Sequence, residues 1–177
     1  NDAAYYLRKQ TSNLIISRIL GANIVGLFNK ADSLGTMPFS TIGASIYQPL
    51  FRGMAKNQEN LDLTKYLFLK SVSLLIVYTA PLYIGLSWLA EPFIGVVYGE
   101  KWIAAGEPLQ ILSIASLLLC IENPCGAVIA AHNRLGRELI IQLASWLFVG
   151  IATFIGLNWG LVGVAWGVLA SRIFSTV

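Results

Sequence analysis

The chain has 177 residues, of which 56% are hydrophobic and only 12% charged, against about 25% charged in ordinary soluble domains. Such a composition leaves too little polar surface for a water-facing globule. The net charge of +3 does not point to nucleic acid, because the basic residues sit at the ends of apolar stretches rather than on one soluble face.

Two stretches, Ser71 to Ala90 and Leu139 to Ser171, carry no charge at all. A hydrocarbon core about 30 Å thick needs about 20 apolar residues in a helix, so both are long enough to cross. The fold class expected is all-α, a polytopic transmembrane bundle of about six spans forming a single unit over 1–177. The chain starts at Asn1 and stops at Val177 inside an apolar run, so it is expected to be a segment of a longer protein, cut at both ends.

The first span runs from about Ala4 to Gly21 and holds Arg8, Lys9 and Arg18. The second, about Asp32 to Arg52, is rich in Gly, Ser and Thr and carries Pro38 and Pro49. Small residues and prolines suit a helix turned toward protein or water rather than toward lipid. After a polar connection, Gly53 to Lys65, the third span runs from about Leu67 to Ala90, with a kink expected at Pro81. The segment Glu91 to Trp102 is too short to cross and is flanked by Trp88, Tyr98 and Trp102, which predicts an interfacial turn in an aromatic belt.

The fourth span is about Ala104 to Ala131, with an interruption expected at Glu122-Asn-Pro124. A basic loop, His132 to Arg137, leads to the fifth span, about Leu139 to Leu157, and the sixth starts near Gly160. Assigning Lys and Arg to alternate loops puts Arg8, Lys9, Arg52, Lys56, Lys65, Lys70, Arg134, Arg137 and Arg172 on one side. Lys30 and Lys101 fall on the other, with Arg18 inside a span. Nine against two makes the first side cytoplasmic.

No soluble-enzyme constellation is present. The single histidine, His132, cannot build a triad or a metal cluster, and the glycines form no phosphate-binding loop. No cofactor or metal is expected. Cys120 and Cys125 point about 140° apart on a helix, which reads as apolar packing rather than a disulfide. Gly150, Gly156, Gly160, Gly163 and Gly167 recur along the last two spans and read as helix packing. Trp88, Trp102 and Trp159 read as interfacial, and Trp146 and Trp166 as deeper and packed.

Polar groups at membrane depth are the functional candidates. Glu122, beside Asn123, is a carboxylate in an apolar span, costing about 2.5–3.5 kcal/mol on insertion scales. It reads either as a coupling or substrate-binding group facing a cavity, or as a structural carboxylate at a proline-broken helix. Arg18, with Asn13 near the same face, reads either as a cationic contact for a phosphate or acidic sugar, or as a side chain snorkelling to the outer interface.

The run Leu7-Arg-Lys-Gln-Thr-Ser-Asn-Leu-Ile-Ile-Ser-Arg-Ile-Leu-Gly21, followed by Ile24-Val-Gly-Leu-Phe-Asn-Lys-Ala31, resembles polysaccharide repeat-unit flippases. These form the oligosaccharide-exporter branch of the MATE-like superfamily. Pro49, Pro81, Gly99-Glu-Lys-Trp102, Leu109-Gln-Ile-Leu112 and the basic Asn133-Arg-Leu-Gly-Arg137 loop follow in the same order as in that family. The resemblance covers nearly the whole chain and implies one half of a two-bundle transporter in the bacterial cytoplasmic membrane. It implies a non-enzymatic carrier moving an undecaprenyl-diphosphate-linked oligosaccharide to the outer leaflet. Membrane lipids and other polysaccharide assembly proteins would be its partners, and nucleic acid would not. A multidrug or peptidoglycan-precursor exporter of the same superfamily, and a membrane-embedded assembly enzyme, are the alternatives.

Overall fold

The structure, a computed structural model, describes residues 10, 13–132 and 135–176, without the side chains at 44, 135, 137–139 and 176. Arg8, Lys9 and Arg134, and the side chain of Arg137, lie outside the described set. A helix over 13–20, α1, breaks at Gly21, whose φ of 90° is open to glycine at little cost. The chain then continues as α2 (Ala22–Lys56), α3 (Leu61–Trp88) and α4 (Ala90–Tyr98). A 3-10 turn (Glu100–Ala105) leads to α5 (Gly106–Leu117) and α6 (Leu119–Ala131). The last elements are α7 (Leu135–Gly156), a 3-10 turn (Leu157–Trp159) and α8 (Gly160–Thr176).

Among the described residues, three stretches are long and apolar enough to cross a membrane: Leu61–Trp88, Glu100–Ala131 and Ile140–Ser175. The last is a hairpin, α7 and α8. A side chain at Gly156 would meet the Gly163 carbonyl and one at Gly167 would meet that of Ala152, while Phe148 stacks on Phe174 at 4.6 Å. Those pairings descend on α7 as they rise on α8, which defines an antiparallel pair. Gly150 has nothing near its missing Cβ, and Gly160, with φ 68°, serves the turn. The packing expected of this glycine series therefore belongs to Gly156, Gly163 and Gly167.

The same reasoning orders the rest. Phe39 of α2 meets Tyr83 of α3, and Gly53 lies against Leu67, so α2 and α3 are antiparallel. Gly35 lies against Leu112, and Leu50 and Met54 cluster with Ala127 and Ala131, so α5 and α6 run parallel to α2. One apolar core, containing Ile16, Phe28, Ile94, Leu109, Leu112 and Val164, fills the end of the bundle near α4. The smaller Leu50, Met54, Ala127 and Ala131 cluster fills the basic end. There Asn60 Oδ1 caps α3 by accepting from the Leu63 N–H at 2.9 Å. Gln58 Nε2 donates to the Ala131 carbonyl at 2.7 Å, satisfying an acceptor left over at the end of α6.

The surface is inverted relative to a soluble protein. On α3 the buried residues are Thr64, Ser71, Leu75, Thr79 and Tyr83, whereas Leu69, Ile76, Val77, Leu82 and Ile84 are exposed. On α7, Ser145, Val149 and Thr153 are buried while Ile140, Leu147, Ile151 and Phe154 are exposed. Apolar side chains facing out and small or hydroxylated ones facing in is the pattern lipid demands, since helices there associate through close approach and polar contacts.

Several expectations need correction. Helix α2 starts at Ala22 rather than near Asp32, so Lys30 belongs to a helix and not to a loop. The interfacial segment is itself helical, as α4 and the first 3-10 turn. Helix α6 runs through Pro124, and the interruption falls at Leu118, whose N–H turns to the Ala115 carbonyl at 3.2 Å. Pro124 would disturb the Cys120 carbonyl, four residues before it, and the break falls two residues earlier still, at the junction with α5. Trp166 is 56% exposed and faces outward rather than packing inside.

Candidate functional site

The inward stripe of α3 supplies the polar centre of the bundle. Thr79 Oγ1 donates to the Leu75 carbonyl at 2.8 Å and lies 3.2 Å from Cys120 Sγ on α6. One turn further on, the Tyr83 hydroxyl accepts from the Phe39 N–H of α2 at 3.1 Å. Ser116 of α5 and the Arg172 guanidinium of α8 neighbour that hydroxyl. All five side chains are buried, Arg172 at 8% exposure and Thr79 and Cys120 at zero. Four helices thus meet around a tyrosine, each contributing a polar atom.

Helix α2 satisfies its hydroxyls locally. Thr36 Oγ1 donates to the Asp32 carbonyl at 2.8 Å, Ser40 Oγ to Met37 at 2.9 Å, and Thr41 Oγ1 to Met37 at 3.0 Å. Back-bonding of this kind hides hydroxyls from an apolar setting and slightly loosens the helix. An apolar groove of about 380 Å³ lies between α2 and α3 at the end near α4, with Pro38 and Pro81 among its walls. A second groove, of about 560 Å³, runs over the α7–α8 seam beside Trp159 and Trp166.

Arg172 was assigned by sequence to the cytoplasmic loops. It is instead the thirteenth residue of α8, about 18 Å along the helix at 1.5 Å per residue, and it faces the interior. Setting Arg172 aside leaves eight basic residues against two in the count from sequence, and Lys30, Arg52, Lys56, Lys65 and Lys70 of that count also lie within helices rather than loops. Glu122 and Asn123 are half-buried on α6. The inward face of α6 is Cys120, Pro124, Ala127 and Ala131. At about 100° per residue, Glu122 lies about 160° from Pro124, on the far side of the helix from the Tyr83 centre. The two cysteines are free.

Arg18 is exposed on α1, three residues before the Gly21 turn, and Asn13 is half-buried. The Asn13 Oδ1 atom is buried with no hydrogen-bond partner among the described residues. Five residues apart they point about 140° away from each other, so they do not share a face. The two carboxamide and charge pairs picked from sequence are thus not gathered into one site, whereas Thr79, Tyr83, Ser116 and Arg172 are. The signal for the latter was present as polar residues eight and four positions apart, Ser71, Thr79 and Tyr83, in a largely apolar span. Among the described residues no group of three or more His, Cys, Asp or Glu side chains is placed to hold a metal.

An all-α bundle with lipid-compatible outer faces and a buried polar centre is an integral membrane protein, and comparison with known sequences narrows the class. The family model described as "Polysaccharide biosynthesis protein" matches residues 2–107, and the chain belongs to that family. It is 30% identical over 173 residues to the lipopolysaccharide biosynthesis protein WzxC of Escherichia coli K12, covering 97% of this chain and 35% of that protein. It is 32% identical over 154 residues to the teichuronic acid biosynthesis protein TuaB of Bacillus subtilis 168, covering 86% and 32%. The succinoglycan biosynthesis transport protein ExoT of Rhizobium meliloti 1021 is 23% identical over 141 residues, covering 80% and 28%. The chain therefore spans about a third of the length of these relatives. No solved structure matches it significantly.

Proposed function

We propose that this chain is part of a flippase that carries an undecaprenyl-diphosphate-linked oligosaccharide from the inner to the outer leaflet of the bacterial cytoplasmic membrane. The observation that carries this reading is the spread of the relatives. Their names concern lipopolysaccharide, teichuronic acid and succinoglycan, polymers of different sugars. What one helical scaffold can serve in all three is a step that precedes the finished polymer and handles a common lipid carrier. The name of ExoT as a transport protein favours movement over chemistry.

The bundle supports such a role physically. Proline-bearing helices, a polar interior and apolar outer faces suit alternating access between two halves, of which this bundle would be one. Reconstituting the full-length protein with a fluorescent lipid-linked oligosaccharide, and scoring its movement between leaflets, tests the reading. Movement well above that in protein-free vesicles is expected. Transfer no faster than in those vesicles would overturn it.

A further inference from the structure

We propose that Tyr83 is a positioning residue that ties shut a hinge passing through α2 and α3 at the level of Pro38 and Pro81. Its role in transport rests on the carrier reading above, but the tie and the hinge are properties of the bundle. Each proline lacks the N–H its helix would use there and crowds the carbonyl one turn back, so each helix is weakened locally. Here Pro38 is followed at once by Phe39, which bonds Tyr83, two residues beyond Pro81. The two breaks therefore face each other at one depth of an antiparallel pair.

The surroundings divide at that level. Toward the basic end the helices pack, with Gly53 against Leu67. Toward the end near α4 the apolar groove lies between them, and its walls include Pro38, Pro81, Leu82, Gly85 and Phe93. Gly85 has nothing within 4 Å of its missing Cβ, so the outer part of α3 has room to move. A hydrogen bond from the Phe39 N–H to the Tyr83 hydroxyl at 3.1 Å crosses between the helices at the level of both prolines. Directly behind it lie Thr79 and Cys120, wholly buried. Breaking the tie lets the outer halves of α2 and α3 part and brings water to this pair.

Cys120 reports the event without engineering. A charged methanethiosulfonate reacts with a thiol only where water reaches it, and peptide mass spectrometry reads Cys120 and the half-buried Cys125 separately in the full-length protein in native membranes. Tyr83→Phe keeps the ring and removes the hydroxyl. One net hydrogen bond is worth about a fivefold shift in a two-state population, so modification of Cys120 should rise about fivefold with Cys125 unchanged. Adding Pro38→Ala, which restores the missing N–H, should return the rate toward the parent. An unchanged Cys120 rate, or an equal rise at both cysteines, would overturn the hinge. Should Tyr83→Phe fail to reach the membrane, Pro81→Ala tests the same device by stiffening α3. Slower Cys120 modification supports the hinge and an unaltered rate refutes it. None of these readouts depends on transport, so the flippase reading can fail while the hinge stands, and the reverse.

Discussion

Lys30 Nζ stands 3.8 Å from the centroid of the Tyr98 ring and 5.5 Å from that of Trp102. One cation of α2 is thereby shared by two aromatic faces, one at the end of α4 and one in the 3-10 turn after it. The contact fastens the short interfacial segment across the outer end of the bundle. A cation over an aromatic face is worth about 0.5–1 kcal/mol where partly exposed. Lys30→Met should therefore lower the thermal midpoint of the detergent-solubilised full-length protein by a few degrees, and Lys30→Arg should preserve it. Equal midpoints for all three proteins would show that the contact contributes nothing.

The α7–α8 seam makes a second, opposed pair of predictions. Gly163 approaches Gly156 so closely that any Cβ there would collide with the Gly156 carbonyl. Gly163→Val should destabilise by about 1–3 kcal/mol, the range for overpacking. Gly150, on the same hairpin, has open space around its missing Cβ and lies within α7. Gly150→Ala should stabilise by about 0.5–1 kcal/mol, since glycine in a helix interior costs that much relative to alanine. Denaturation of both variants in one detergent decides the matter; similar effects at the two positions would contradict the packing described.

Much of this bundle was legible in the sequence because lipid imposes a coarse rule. The helices at Leu61–Trp88, Leu135–Gly156 and Gly160–Thr176 follow from uncharged runs of the right length, and the aromatic segment near Tyr98 follows from being too short. The polar centre was harder to see. Thr79, Ser116 and Tyr83 are ordinary in a membrane helix taken singly, and only the antiparallel register of α2 with α3 brings Phe39 to Tyr83. Arg172 was misplaced because charge counting treats an arginine near the end of a run as a loop residue, while burial depends on which face it occupies. Asn13 and Arg18 were grouped by closeness in sequence, although five residues on a helix separate side chains by about 140°.

Orientation yields a third test. Arg52, Lys56 and Lys65 lie at the end that also holds Gln58 and Ala131, and Lys101 lies at the other. The basic end should face the cytoplasm. In the full-length protein, a cysteine replacing Glu59 should react with an impermeant thiol reagent only in inverted membrane vesicles. One replacing Lys101 should react only in intact spheroplasts. Both positions are exposed, so access is decided by sidedness and not by burial. The opposite pattern would reverse the topology.

Glu122 gives the sharpest test of mechanism, because its place separates two roles for a carboxylate. It is half-buried and points away from the inward stripe of Cys120, Pro124, Ala127 and Ala131. A carboxylate needed only to hold this bundle together would face that stripe. One on the far side of α6 is available to a surface outside the bundle, where an intramembrane charge serves an ion or substrate path. Glu122→Gln keeps size and hydrogen bonding while removing the charge. If Glu122 couples flipping to an ion gradient, this variant should move lipid-linked oligosaccharide at a rate that no longer responds to the gradient, with unchanged thermal stability. Full, gradient-dependent movement by Glu122→Gln would remove it from the coupling path. A large loss of stability would assign it to the framework instead.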